Sequence, residues 1–193
     1  MNMFNPIRLS GAEEGLVAQL EAAGATGLAD TLRERGLPTR RVEAYHYTDL
    51  KMLLAAVPPR ARKAIVGASA LRIPDAWRVL VANGVVESHA GAPEGVAVRI
   101  STDTALSARE DVLVGLNRAL QGETLEIAVS DALDTVIHID RRLEGSAGHA
   151  ASASRIVLAP GASATIVETI SGSDAAHLSN GATALVLGEG AQA

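Results

Sequence analysis

The sequence contains no cysteine in its 193 residues. Disulfides, thiolate nucleophiles and metal ligation by this chain's own sulfur are therefore excluded. A chain of this length can bury a sizeable core without a disulfide or a metal. Because disulfides belong to oxidising compartments, their exclusion favours the cytoplasm.

Aromatic residues are almost as scarce, with one tryptophan, two tyrosines and one phenylalanine. Bases and sugars are held largely on aromatic side chains, so the chain has little material for either kind of ligand. Its 17 basic and 22 acidic residues give a net charge of −5, the wrong sign for binding phosphates. We expect no nucleic-acid partner.

Long apolar runs are also lacking. Asn2, Asn5, Pro6 and Arg8 interrupt the start of the chain, which therefore does not resemble a signal peptide. No later run reaches the roughly 18 apolar residues that a membrane-spanning helix needs. We expect a soluble cytoplasmic protein with no membrane partner.

Residues 1–60 have the pattern of a helical region. Ser10 and Glu13 form a capping box before the apolar stripe of a first helix, and Gly24 can end that helix. A second short helix ends at Gly36, and Asp49 precedes a third. The apolar positions of the three helices are Leu16, Val17, Leu20, Leu28, Leu32, Leu50, Met52, Leu53 and Leu54.

Residues 75–193 are predicted to be rich in β-structure. Trp77–Ala82 is a strand, Asn83-Gly84 is a strong hairpin signal, and a capping box of Ser107 and Glu110 opens a helix over 111–120. The other predicted strands are 96–100, 125–129, 136–139, 155–158, 165–170 and 182–187.

A local pattern occurs twice in the β-rich region. Leu158-Ala-Pro-Gly161-Ala-Ser-Ala164 returns as Leu187-Gly-Glu-Gly190-Ala-Gln-Ala193. Equivalent turns that recur after strands favour stacking. We predict an α+β, mainly β fold in which the helical region leads into the opening coils of a right-handed parallel β-helix (β-solenoid). The last predicted strand has no charged residue that would prevent it from pairing with another strand. Soluble proteins usually avoid such an edge, so we expect the chain to be the front portion of a longer protein.

One segment resembles a known family. It reads Gly36-Leu-Pro-Thr-Arg-Arg41-Val-Glu43-Ala-Tyr45-His-Tyr47-Thr48-Asp-Leu50. This is similar to a signature near the start of SufD, a core subunit of the Suf iron–sulfur cluster assembly machinery. Tyr45 replaces the usual tryptophan and His46 the usual lysine. The stretch from Arg155 to Glu168 resembles the entry to that family's β-helix, although family members are about twice as long.

The resemblance implies a scaffold subunit that is not itself an enzyme, with SufB-like and SufC-like (ATPase) subunits as partners and a homodimer as a further option. It implies that the full complex handles the iron–sulfur cluster, and that this segment binds no cofactor or metal and has no catalytic residue. The signature residues are then structural: Pro38, Arg40, Arg41, Glu43, Tyr45, Tyr47, Thr48 and Leu50.

The signature allows two interpretations. Arg40 and Arg41 could bind an anion through their guanidinium groups. Alternatively, the arginines pair locally with Glu43, and the tyrosines anchor the helical region onto the sheet. We favour the second interpretation, because no glycine-rich phosphate loop accompanies the arginines.

Two further patterns are weak. The five histidines show no close spacing typical of a metal site, so we expect surface or singly hydrogen-bonded side chains. The histidines are His46, His89, His138, His149 and His177. Gly188–Ala193 matches G-x-G-x-x-A, but a nucleotide site would also require a following helix. The rival function is a carbohydrate-active β-solenoid enzyme, which the scarcity of aromatics disfavours.

Overall fold

The computed structural model describes residues 7–63, 71–102 and 111–193. The helices are α1 (Gly11–Ala22), α2 (Thr26–Arg35), α3 (Leu50–Leu53) and α4 (Val112–Leu120), with a 3₁₀ turn over Glu43–Tyr45. The strands are β1 (Trp77–Ala82), β2 (Val85–Ser88), β3 (Val96–Ser101), β4 (Thr124–Val129), β5 (Ile137–Leu143), β6 (His149–Leu158), β7 (Ile166–Gly172) and β8 (Leu178–Leu187).

The N-terminal helices begin and end where the capping signals predict. The Ser10 hydroxyl accepts from the Glu13 N–H, and the Glu13 carboxylate accepts from the Ser10 N–H, so the capping box is complete. Gly24 and Gly36 follow the ends of α1 and α2 with φ angles of 75° and 68°, which suit glycine. The Asp49 carboxylate caps α3, which is a single turn.

The described cap of α4 is Asp111. The helix begins at Val112, and the Asp111 carboxylate accepts from the N–H groups of Leu113 and Val114 at 2.8 and 3.4 Å. Ser107 and Glu110, the predicted capping box, lie outside the described residues. Aspartate is as good a cap as serine, and it stands directly before the apolar stripe.

The predicted β-helix is wrong. The strands form two mixed four-stranded sheets, in the orders β2-β1-β5-β7 and β3-β4-β6-β8. In each sheet the first pair is antiparallel, β1 with β2 and β3 with β4, while the later pairs are parallel. The architecture is α/β, and the described part of the chain contains no closed solenoid. The rival carbohydrate-active enzyme loses its expected fold as well.

The hairpin explains much of the departure. Asn83 and Gly84 both have positive φ, at 49° and 88°, which is the turn that an antiparallel pair needs. The Asn83 amide donates to the carbonyl oxygens of Arg62 and Glu144, so its side chain fixes the turn to two other segments. Because the chain reverses direction at this turn, β2 pairs antiparallel with β1 and forms the edge of the sheet. The parallel pairing therefore stops at β1.

The main core lies between the two sheets, where β1 and β5 of one sheet face β4 and β6 of the other. Its buried side chains are Trp77, Val79, Val81, Leu125, Ile127, Val129, Ile137, Ile139, Ile156, Leu158, Ala162 and Ala164. A second cluster joins α1, α2 and α4 to Leu37, Leu50 and Ala151. The helices therefore pack on the far face of the β6 sheet. No described helix is long and apolar enough to cross a membrane.

The two copies of the repeated turn lie side by side. Gly161 donates its N–H to the Glu189 carbonyl at 2.9 Å, and Gln192 donates to the Ala162 carbonyl at 3.0 Å. A Cβ at Gly188 would lie 2.5 Å from the Pro160 nitrogen, so this close approach requires glycine. The repeat correctly predicts adjacent turns, although the sheets that carry them are not those of a β-helix.

Candidate functional site

The ends of the signature segment are held in place by the protein, whereas most of its middle is solvent-exposed. Leu37 and Leu50 are buried in the helical cluster, and Leu50 donates its N–H to the Pro38 carbonyl at 3.2 Å. Between them the backbone forms successive turns, such as Val42 N–H to Thr39 O at 3.0 Å. The segment is therefore a compact loop that is closed at its base.

Glu13 fixes the start of this loop. Its carboxylate is fully buried and accepts from the Leu37 N–H at 2.7 Å, and the Lys51 ammonium lies 3.1 Å away. Burial alone raises the pKa of Glu13, but the hydrogen bonds from the backbones of Ser10 and Leu37 and from Lys51 outweigh it and leave the pKa below its ordinary value. The capping box revealed only the Ser10 contact, because Leu37 and Lys51 reach Glu13 through tertiary packing.

Tyr45 connects the loop to α4. Its ring packs against the helical cluster, and its hydroxyl donates to Asp111 Oδ2 at 2.7 Å. The other Asp111 oxygen caps α4, so one carboxylate holds both the helix and the loop. Tyr45 therefore anchors the loop to the helical cluster and α4, whereas the second interpretation expects the tyrosines to anchor the helical region onto the sheet.

Tyr47 has the opposite environment. Its side chain is 94% exposed, and its ring stands edge-to-face with the neighbouring His46 ring, with 4.9 Å between centroids. Tyr47 therefore anchors nothing within the described part of the chain.

The polar signature residues are also exposed. Arg40, Arg41, Glu43 and Thr48 all point to solvent. No ion pair joins Arg40, Arg41 or Glu43 to another described residue, so the expected local pairing of arginine with glutamate is not formed. The guanidinium groups remain accessible to a ligand or a partner.

A groove runs beside this loop, and we call it the signature groove. One wall is α2, another is α4, and the third is the loop from Gly36 to Tyr45; the volume is about 640 Å³. Leu32 and Leu116 form a buried apolar floor, and the exposed guanidiniums of Arg35 and Arg118 border it. Sequence reasoning missed this groove, because the helices that line it are about 75 residues apart in the chain.

Buried ionic groups lie between and behind the sheets. Arg141, on β5, pairs with Glu168 and donates to the hydroxyls of Ser152 and Ser154 at 2.9 and 2.8 Å. Asp140, on the opposite face of the same strand, pairs with Arg78. Arg141 and Asp140 are paired and hydrogen-bonded, so we interpret both as structural links between strands.

The five histidines do not converge. His138 and His149 are buried and hydrogen-bonded to Thr169 Oγ1 and Gln19 Oε1, at 2.8 and 2.7 Å. His46 and His89 are exposed, and His177 contacts Ser173. Within residues 7–63, 71–102 and 111–193, no three His, Asp or Glu side chains form a group suited to a metal ion.

The G-x-G-x-x-A match also has a structural use. Three of its backbone N–H groups are engaged in the repeated turns: Gly188 N–H with Leu158 O at 2.8 Å, Ala191 N–H with Gly188 O at 3.1 Å and Gln192 N–H with Ala162 O at 3.0 Å. Phosphate binding at such a loop requires free N–H groups. The match therefore arises from packing between turns.

Neither a scan against protein-family models nor a search of curated proteins returned a match for this chain. The resemblance of residues 36–50 to the SufD signature thus stays a hypothesis from the sequence.

Proposed function

We propose that this chain is a non-catalytic scaffold subunit of SufD type, which supports iron–sulfur cluster assembly together with SufB-like and SufC-like subunits. The observation that carries the proposal is the signature segment from Gly36 to Leu50. The β-helix expected from the same resemblance is not present, so the family's fold lends no support.

Two properties of the structure are consistent with a scaffold. Signature residues Arg40, Arg41 and Tyr47 are exposed on a loop with a fixed base, which suits contact with another protein. The edge strand β8 presents ten residues without a charge or a proline. Unprotected edges of this kind pair readily with a strand of another chain.

The cytoplasm is part of the proposal. The sequence has no cysteine, and cluster assembly handles oxygen-sensitive iron and sulfide that a reducing compartment protects. Partners, rather than this chain, would supply the sulfur ligands of the cluster.

Co-expression tests the proposal. The chain, affinity-tagged, would be produced with SufB-like and SufC-like proteins of the same organism, and the eluate analysed by native mass spectrometry. We expect a stoichiometric complex, and we expect cluster loading of the SufB–SufC pair to rise when the chain is added. Elution of the chain without either partner, together with unchanged cluster loading, would refute a SufD-type role.

A further inference from the structure

The most exposed large apolar side chains of the described residues stand close together in sequence, around the signature. Tyr47, Met52 and Leu53 are 94%, 79% and 69% exposed. Val42, which lines the signature groove, is also exposed. Isolated exposed apolar residues are ordinary, but exposed apolar surface that lines a groove, as Val42 does, is typical of an interaction site.

The groove has the shape of a helix seat. Leu28, Thr31, Leu32 and Arg35 lie at i, i+3, i+4 and i+7 of α2, so one face of that helix forms a wall. Gly115 on α4 approaches this wall, since a Cβ there would lie 3.5 Å from Leu28. The ten residues of α2 span about 15 Å, which matches two to three turns of a third helix.

The exposed charged side chains of this region indicate the sign of the partner's charge. Arg35, Arg40 and Arg41 are exposed and form no ion pair with described residues. The carboxylate that lines the groove, Asp111, is already bonded to the Tyr45 hydroxyl and the start of α4. Nearby in sequence, Glu34 and Glu43 are exposed, and the exposed Asp30 is paired with Arg33. Arginines therefore outnumber free carboxylates here, although the whole chain carries a net charge of −5.

We propose that the signature groove is a docking site for an acidic amphipathic helix of a partner protein. The partner's apolar stripe would lie on Leu28, Leu32 and Leu116 with Val42 at its side, and one of its carboxylates would pair with Arg35. In helix-in-groove recognition, an amphipathic helix places apolar anchors at i, i+3, i+4 and i+7 into an apolar groove. The groove and its charges offer this contact whether or not the partner belongs to cluster assembly.

Fluorescence anisotropy with synthetic helices tests the docking site. The probe is a labelled peptide of about 14 residues with leucine at i, i+3, i+4 and i+7 and glutamate on its other face. Its control has lysine in place of every glutamate. The full chain is tested as wild type, as Arg35→Glu and Val42→Asp in the groove, and as Arg72→Glu, an exposed arginine that does not line it.

We expect the acidic peptide to bind and the lysine peptide not to bind. Arg35→Glu and Val42→Asp should each weaken binding about tenfold, because one reverses a charge at the border and the other places a charge against apolar side chains. Arg72→Glu should bind as the wild type does. Equal binding of both peptides, no binding of the acidic peptide, or binding indifferent to the groove variants would overturn the proposal. So would occupation of the groove by laurate but not by the peptide, which would indicate a lipid-like ligand.

Discussion

At the scale of single residues, Tyr45 and His46 are neighbours with opposite surroundings. The Tyr45 ring packs on the helical cluster and its hydroxyl reaches Asp111, whereas the His46 imidazole is exposed. Asp111 in turn caps α4, so the tyrosine, the carboxylate and the helix start form one connected unit. Loss of the tyrosine should therefore affect the start of α4 as well as the loop.

We expect Tyr45→Ala to destabilise the fold by about 2 kcal/mol, through lost apolar contact and a lost hydrogen bond. Tyr45→Phe should cost about 1 kcal/mol, because the hydrogen bond to Asp111 is removed while the ring is kept. His46→Ala, the exposed control, should change stability by about half a kcal/mol at most. Urea-unfolding midpoints check the order, and equal shifts for Tyr45→Ala and His46→Ala would contradict the anchoring role.

Protonation of His149 should change the free energy of unfolding of the whole chain. Its side chain is buried, and Nδ1 lies 2.7 Å from Gln19 Oε1, which joins β6 to α1. Burial, with a smaller effect of the positive charge of Arg60, lowers the pKa of His149 to about 4. The folded state therefore holds a neutral imidazole well below the ordinary pKa of 6.5.

A depressed histidine pKa sets the direction of the pH dependence. Above about pH 6.5 both states are neutral and the fold has its full stability, while from 6.5 down to 4 the unfolded chain takes up a proton that the folded chain resists. Stability should decline across this window by about 3 kcal/mol in total. His149→Gln should remove most of that slope in urea titrations, and His46→Gln should not. An unchanged slope in His149→Gln would show that other groups cause the decline.

At the scale of elements, local sequence signals correctly predicted the helices and turns whose ends are set by backbone geometry. The capping box opened α1, and Asn83-Gly84 fixed the β1–β2 hairpin. Residue types predicted strand ends less well. The apolar pattern stopped β5 at Ile139, yet the strand continues to Leu143 because Arg141 is buried with Glu168 and two serines as partners.

The start of β6 was missed for a related reason. The sequence from His149 to Ser154 consists of small and polar residues, which favour strands weakly. These residues are nevertheless buried, and they pair in parallel with β8. Asn117 of α4 donates to the Ser152 carbonyl at 3.0 Å. Tertiary contacts, which are not visible along the sequence, extend the strand.

The edge strand β8 carries a prediction of self-association. Leu185 and Leu187 pair in register with the core residues Ile156 and Leu158, but both are about half exposed, since β8 is the edge strand of its sheet among the described residues. We expect the isolated chain to associate through this edge, and Val186→Lys to reduce the association, since an edge lysine opposes strand pairing.

Light scattering over a concentration series measures the effect. Ala128→Lys is the matched control, because Ala128 is exposed on the central strand β4. A lysine at this position adds the same charge away from an edge. A monomer at high concentration, or equal effects of the two lysines, would mean that β8 is not the associating surface.

At the scale of the whole molecule, sheet order could not be predicted from the sequence. The pairing of β1 with β5, some 60 residues later, depends on long-range packing that leaves no local signal. The signature groove has the same origin, since the sequence predicts the helices that line it but not that they lie next to each other. The repeated turns did predict adjacency, because equal turns have equal hydrogen-bond geometry.

Iron binding is a property of the whole chain, and we expect the isolated protein to hold none tightly. Tight sites for iron or its sulfide clusters need thiolates or converging imidazoles and carboxylates, and this chain has no cysteine. Its two buried histidines are committed to Thr169 and Gln19 and lie on different strands. After anaerobic incubation with ferrous iron and sulfide and passage over a chelating resin, the chain should emerge with negligible iron by elemental analysis. The co-expressed complex, treated in the same way, should keep its cluster. About one chelator-resistant iron per isolated chain would contradict both this prediction and the assignment of the cluster ligands to a partner.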